Sequence, residues 1–325
     1  MKQIGSHGPD VTDKVHPEIA AAAVRAARTV GLDIAGIDMV ARDIGLPFAE
    51  QGAKICEVNA GPQLLIHAIP PSGPGRPIGE AIIAELFRAD ETGRIPIAAI
   101  AGRSGTRTAV LLEGILRAAG GTPGLTCGAG KWVAGWRFSA ESHATSEAAR
   151  DLLMSPEIDA AVFEIDWQSV ASRGLPVDRW NTLVLLASAA GDATAALAPA
   201  ADAPLEAIGA MIRILDPAGT IVVLDSERDL VALARRDGRA VITVATGETP
   251  AALPATDRRV AVHGGQIVHE HDGVADQILA VAELPAADAA DQQPVLAAVA
   301  AAIGLGVPRA AIRAGLTAAR QPTGG

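Results

Sequence analysis

From Ile95 onward the sequence alternates short apolar runs with amphipathic ones, and this alternation limits the possible fold more than any other feature. Runs at about 95–101, 159–165, 182–187, 220–225 and 240–245 have the continuous apolar character of strands covered on both faces. Between them, runs at about 107–119, 144–153, 205–215 and 228–236 have helical periodicity. Strands that alternate with helices predict a doubly wound, mostly parallel α/β sheet. Lys131 to Arg137 reads as a short hairpin whose Trp132 and Trp136 either form an aromatic contact surface or pack at a sheet edge. Ahead of the alternating region, the proline and glycine cluster Pro70 to Pro77 marks a loop into a helix over 78–87. A linker over 89–94 follows, which places a domain boundary near residue 92 and predicts units 1–92 and 93–325.

The first strand of the alternating region runs into Gly102-Arg103-Ser104-Gly105-Thr106-Arg107-Thr108 and then into an amphipathic helix. A strand, a glycine loop and a helix can hold a phosphate through backbone N–H groups and the helix N-terminus. The candidate nucleotide-binding residues are Gly102, Ser104, Gly105, Thr106, Arg107 and Thr108. A second candidate site lies upstream. In Ile55-Cys56-Glu57-Val58-Asn59, the period of two places Glu57 and Asn59 on one strand face, and Asp38 joins them if its strand lies alongside. Such oxygen ligands suit Mg2+ bound together with nucleotide phosphates. The same residues are equally compatible with a strand whose Glu57 is simply solvated.

The segments Val11-Thr12-Asp13-Lys14-Val15-His16-Pro17, Gly31-Leu32-Asp33-Ile34-Ala35-Gly36-Ile37-Asp38 and Glu57-Val58-Asn59-Ala60-Gly61-Pro62 follow one another in the order found in one family. The chain resembles cyanophycin synthetase, from about Asp10 to Ala319. The resemblance implies the C-terminal lobe of an ATP-grasp fold over 1–92, followed by a Mur-ligase-like central domain over 93–325. It implies a carboxylate–amine ligase that uses ATP and Mg2+ through an acyl phosphate, acting on an amino acid or a polyaspartate- and arginine-type substrate. Asp38, Glu57 and Asn59 would then be metal ligands. The upstream ATP-grasp half, with its nucleotide clamp, and the downstream Mur ligase domain are expected to be missing, so that a companion chain would have to supply the clamp.

Measured against the Mur pattern, the second domain departs from the expected chemistry. Thr106 stands where the loop lysine is expected and Arg107 where a metal-binding hydroxyl is expected; Arg103 or Arg107 could supply the missing charge. Glu164, at the end of Ala161-Val162-Phe163, matches a metal-binding glutamate. Ser188 to Asp192 lacks the expected histidine motif, and Asp225 adds negative charge where nucleotide contacts are expected. Two functions follow: a cyanophycin-synthetase-like ligase that is incomplete as a single chain, or an inactive pseudoenzyme that serves as a binding or oligomerisation module. No residue is identified as catalytic.

Composition narrows the partners. A formal net charge of −10 disfavours nucleic acid and anionic membranes. Cys56 and Cys127 indicate neither a disulfide framework nor a thiolate metal site, and Cys56 is expected to pack. Alanine raises the mean hydropathy, but no run is long enough to span a bilayer, and Met1 to Ser6 lacks the core of a signal peptide. A cytoplasmic homo-oligomer is the expectation. His269-Glu270-His271 reads as part of an exposed strand rather than a metal site.

Overall fold

The computed structural model describes residues 8–88, 90–186, 203–236, 238–246 and 257–318. Two compact units divide between Arg94 and Ile95. The first contains α1 (Pro17–Val30), β1 (Gly36–Val40), β2 (Lys54–Asn59), α2 (Leu65–Ala68) and α3 (Ile78–Leu86). Pro17 sits in the first turn of α1, and the His16 ring accepts the Glu18 N–H, satisfying a donor that the helix leaves open. The helix ends at Gly31, whose φ of 82° is a left-handed cap suited to glycine.

β1 and β2 pair antiparallel, with Asp38 opposite Glu57 and Gly36 opposite Asn59. Ile19 and Ala53 are the buried apolar residues among those described in this unit, while Val30, Val40, Leu65 and Ile69 are exposed. Polar ties compensate for the thin core. The buried Gln51 carboxamide accepts the Arg42 and Asp43 N–H groups and donates to the carbonyls of Asp43, Leu46 and Pro47. Arg76, from the Pro-Gly loop, grips Asp10 at 2.5 Å and Asp13 at 2.7 Å, which holds the Asp10 carboxyl down at about 2. Cys56, expected to pack, is exposed, because β2 has no covering layer on that side among the described residues.

The second unit continues with β3 (Ile97–Gly102), α4 (Gly105–Ala118), β4 (Pro123–Cys127), β5 (Gly130–Val133), β6 (Trp136–Ser139), α5 (Ser146–Leu152), β7 (Ala160–Glu164), α6 (Trp167–Arg173) and β8 (Trp180–Leu186). It then runs through α7 (Ala203–Arg213), β9 (Leu215–Leu224), α8 (Arg228–Arg235), β10 (Ala240–Val244), β11 (Arg258–His263), β12 (Gln266–His271), β13 (Val274–Ala280), α9 (Ala286–Ala290), α10 (Gln292–Gly304) and α11 (Arg309–Ala318). The described strands form one sheet in the order β13-β12-β11-β10-β9-β8-β3-β7-β4-β5-β6. From β11 to β4 neighbouring strands are parallel, and each end of the sheet carries antiparallel strands. The fold is thus α/β with a large, mostly parallel sheet.

Alternate residues of the central strands serve opposite layers. Ala98, Ile100, Val184, Leu186, Val222 and Leu224 pack with α4, α10 and α11. Ile97, Ala99, Leu183, Leu185, Ile221 and Val223 pack with α5 and α7 on the other face. Burial on both faces explains why these strands read as continuous apolar runs. His269, expected on an exposed strand, is buried in β12 at 8% exposure, because the face it shares with Val260 is the one that α10 and α11 cover.

Candidate functional site

β3 lies between β7 and β8, so its C-terminal end is where connections diverge to the two halves of the sheet. Open parallel sheets place ligand crevices at such a point, and the loop Gly102 to Thr108 occupies it. Gly102 adopts φ of 110°, and a Cβ there would collide with the Leu186 carbonyl oxygen; only glycine fits. The Arg103 N–H donates to the same Leu186 carbonyl at 2.9 Å. Ser104 caps α4 from a left-handed conformation, φ 62°, and its carbonyl accepts the Thr108 hydroxyl at 3.0 Å. The loop geometry is therefore held by backbone and by small side chains.

The charge of Arg107 is committed elsewhere. The Thr106 hydroxyl donates to Glu164 Oε2 at 2.6 Å, and the Gly128 N–H donates to the same oxygen at 2.6 Å. Gly105 leaves space for this carboxylate, since a Cβ there would lie 2.9 Å from Glu164 Oε1. Arg107 turns away from the loop and donates through Nε and Nη2 to Asp288 of α9, at 2.8 and 2.5 Å; Asp288 is 3% exposed. The expected metal ligand Glu164 is thus bonded to Thr106 and Gly128, and it sets a negative charge beside the loop where phosphate binding needs a positive one. Cys127 is buried nearby, and burial, with help from the Glu164 charge, pushes its thiol up to about 11, which keeps it inert. Asp288 and Gly128 escape sequence reading because both contacts are distant along the chain, Arg107 and Asp288 being 181 residues apart. The Ser188 to Asp192 segment lies outside the described residues.

In the first unit, Asp38, Glu57 and Asn59 come together. Asp38 and Glu57 are directly opposed across the two strands, and Asn59, two residues beyond Glu57, donates from Nδ2 to Asp38 Oδ2 at 3.1 Å. Both carboxylates are exposed. Like charges opposed across strands are unfavourable unless a cation lies between them, so the donor set fits a hard divalent ion that keeps part of its water shell. Among the described residues no group of three or more His, Cys, Asp or Glu could hold a metal; this set has two carboxylates and one carboxamide.

No protein-family model matches the chain. It is 34% identical over 187 residues to the cyanophycin synthetase of Nostoc sp. (strain PCC 7120), which covers 57% of this chain and 21% of that protein. It is 32% identical over 224 residues to the cyanophycin synthetase of Synechocystis sp. (strain PCC 6803), covering 69% of this chain and 26% of that protein. The chain thus matches only between 21% and 26% of the length of these curated relatives. MurF from Acinetobacter baumannii superposes with a TM-score of 0.47 at 18% identity, over 70% of this chain and 46% of that one.

Proposed function

We propose that this chain, similar over more than half its length to cyanophycin synthetases, is part of an ATP-dependent carboxylate–amine ligase whose nucleotide–metal face is Asp38, Glu57 and Asn59. One observation carries the reading: two carboxylates opposed on paired strands, braced by a carboxamide, within sequence of that resemblance. A bound Mg2+ would offset phosphate charge as a carboxylate is phosphorylated. Asp38 and Glu57 supply the charge that holds the ion, and Asn59 orients Asp38. An amine then displaces phosphate from the acyl phosphate, and an amino acid or a polyaspartate- and arginine-type chain is the substrate class. The thin core and exposed apolar residues of the first unit support covering by further polypeptide, from a longer chain or a companion, that brings the nucleotide clamp.

For the second unit, a distinct observation favours a second reading, that of a binding or oligomerisation module without turnover. Glu164 sits at the loop, bonded to Thr106, and Arg107 is paired with Asp288, so neither the lysine position nor Arg107 offers a free positive charge to a phosphate there. Arginine- and aspartate-dependent ADP release by the chain alone tests both readings. Release at the level of a boiled control is expected; clear turnover would show that this chain carries a complete site and refute the module reading.

A further inference from the structure

The edge strand β6 carries the most conspicuous unpartnered surface of the second unit. Trp136 and Phe138 are 78% and 69% exposed, in a chain that holds four tryptophans and four phenylalanines in all. A quarter of its large rings therefore lie in water on one short strand. Trp136 is opposite Val133, and Phe138 lies at the bulge between the Trp132–Arg137 and Lys131–Ser139 pairs. β6 pairs with β5 alone, so its outer backbone groups have no strand partner among the described residues. Exposed edges are ordinarily blunted by charge or proline rather than decorated with large rings.

The charge at this edge is equally uneven. Arg137 lies 5.2 Å over the Trp132 ring and donates to the Ala129 carbonyl at 2.7 Å. No ion pair joins Arg137 or Lys131 to a carboxylate among the described residues, whereas Arg107, Arg117, Arg173, Arg179 and Arg235 are each paired with one. From Gly114 to Ala140 there is no Asp or Glu, in a chain of formal charge −10.

We propose that β6 binds an extended acidic polypeptide by strand addition. The outer backbone groups pair with the incoming strand, Arg137 meets its carboxylates, and Trp136 and Phe138 cover its alternate apolar side chains. A second copy of the chain fits less well, because an antiparallel pairing centred on β6 would bring two Arg137 guanidinium groups together. The inference rests on the hairpin alone and stands apart from the ligase reading.

The test is fluorescence anisotropy of the full chain with a labelled peptide of alternating aspartate and valine, and with its lysine and valine counterpart. The acidic peptide alone should bind, and binding should weaken with salt. Arg137→Glu, and separately the double change Trp136→Ser with Phe138→Ser, should each weaken it by about tenfold or more. These side chains are exposed, so circular dichroism should be unchanged. Absence of binding, equal binding of the lysine peptide, or indifference to Arg137→Glu would overturn the proposal. So would a dimer that the aromatic double variant dissociates and the acidic peptide leaves intact, which would assign the edge to self-association only.

Discussion

Arg107 shows how a side chain at a phosphate-loop position can be absorbed into structure. Its partner Asp288 is almost fully buried, and removing one member of such a pair leaves an uncompensated charge worth about 3–5 kcal/mol. Arg107→Ala should therefore lower unfolding stability by several kcal/mol in a urea titration while leaving ATP affinity unchanged. Loss of ATP binding with stability preserved would return the arginine to a phosphate role. His269 gives a prediction of a different kind. Burial first, then the charges of Arg258 from β11, His271 from β12 and Arg309 from α11, hold its imidazole down at about 4 against an ordinary 6.5, with Asp276 of β13 opposing the shift. Between those two values the unfolded chain takes up a proton that the folded chain refuses, so stability falls as pH drops through that window and is level above it. His269→Leu should remove that slope in denaturation curves taken across the range. The neighbouring His271 is raised instead by its hydrogen bonds to Asp276 and Asp272, so its contribution is present at low pH and lost on the alkaline side. None of these environments was legible in the sequence. Residue type and spacing marked Arg107 and His269 as noteworthy, but burial and partners came from elements far along the chain.

Elements were far more legible, because period and punctuation are local. The expected strands and helices of the alternating region all appear, with the helix after the loop beginning at Gly105 rather than 107. The limit lay in how closely elements approach. α11 crosses α4 at Gly315, where a Cβ would collide with the Ile115 backbone. Gly315→Ala must separate the two helices, at a cost of about 1–3 kcal/mol, measurable as a lower urea midpoint with an unchanged slope. Wild-type stability in that variant would mean the helices are farther apart than described. α10 was equally hard to place from sequence: its alanines are buried on every side, from Pro294 to Ala302, so it has no polar stripe to announce an orientation. The antiparallel strands at the sheet ends carry the exposed Trp136 and the buried His269, two features that pattern alone could not assign to a face.

At the scale of the whole molecule, the two units divide the chemistry. The second has a full two-layer core and a glycine loop whose Arg107 is spent on Asp288 and whose Thr106 is spent on Glu164, while the first has a thin core and an exposed pair of opposed carboxylates. The order of segments along the chain made the ligase resemblance readable; the diversion of Arg107 to Asp288 depended on a contact that only folding creates. In the function proposed above, divalent metal binds the first unit and not the loop. Mn2+ titration followed by electron paramagnetic resonance, on wild type, Glu57→Gln and Glu164→Gln, tests it most directly. Weak binding is expected, which Glu57→Gln reduces by about tenfold, the effect of losing one carboxylate charge from the set, and which Glu164→Gln leaves unchanged. Binding that survives Glu57→Gln and disappears in Glu164→Gln would contradict it.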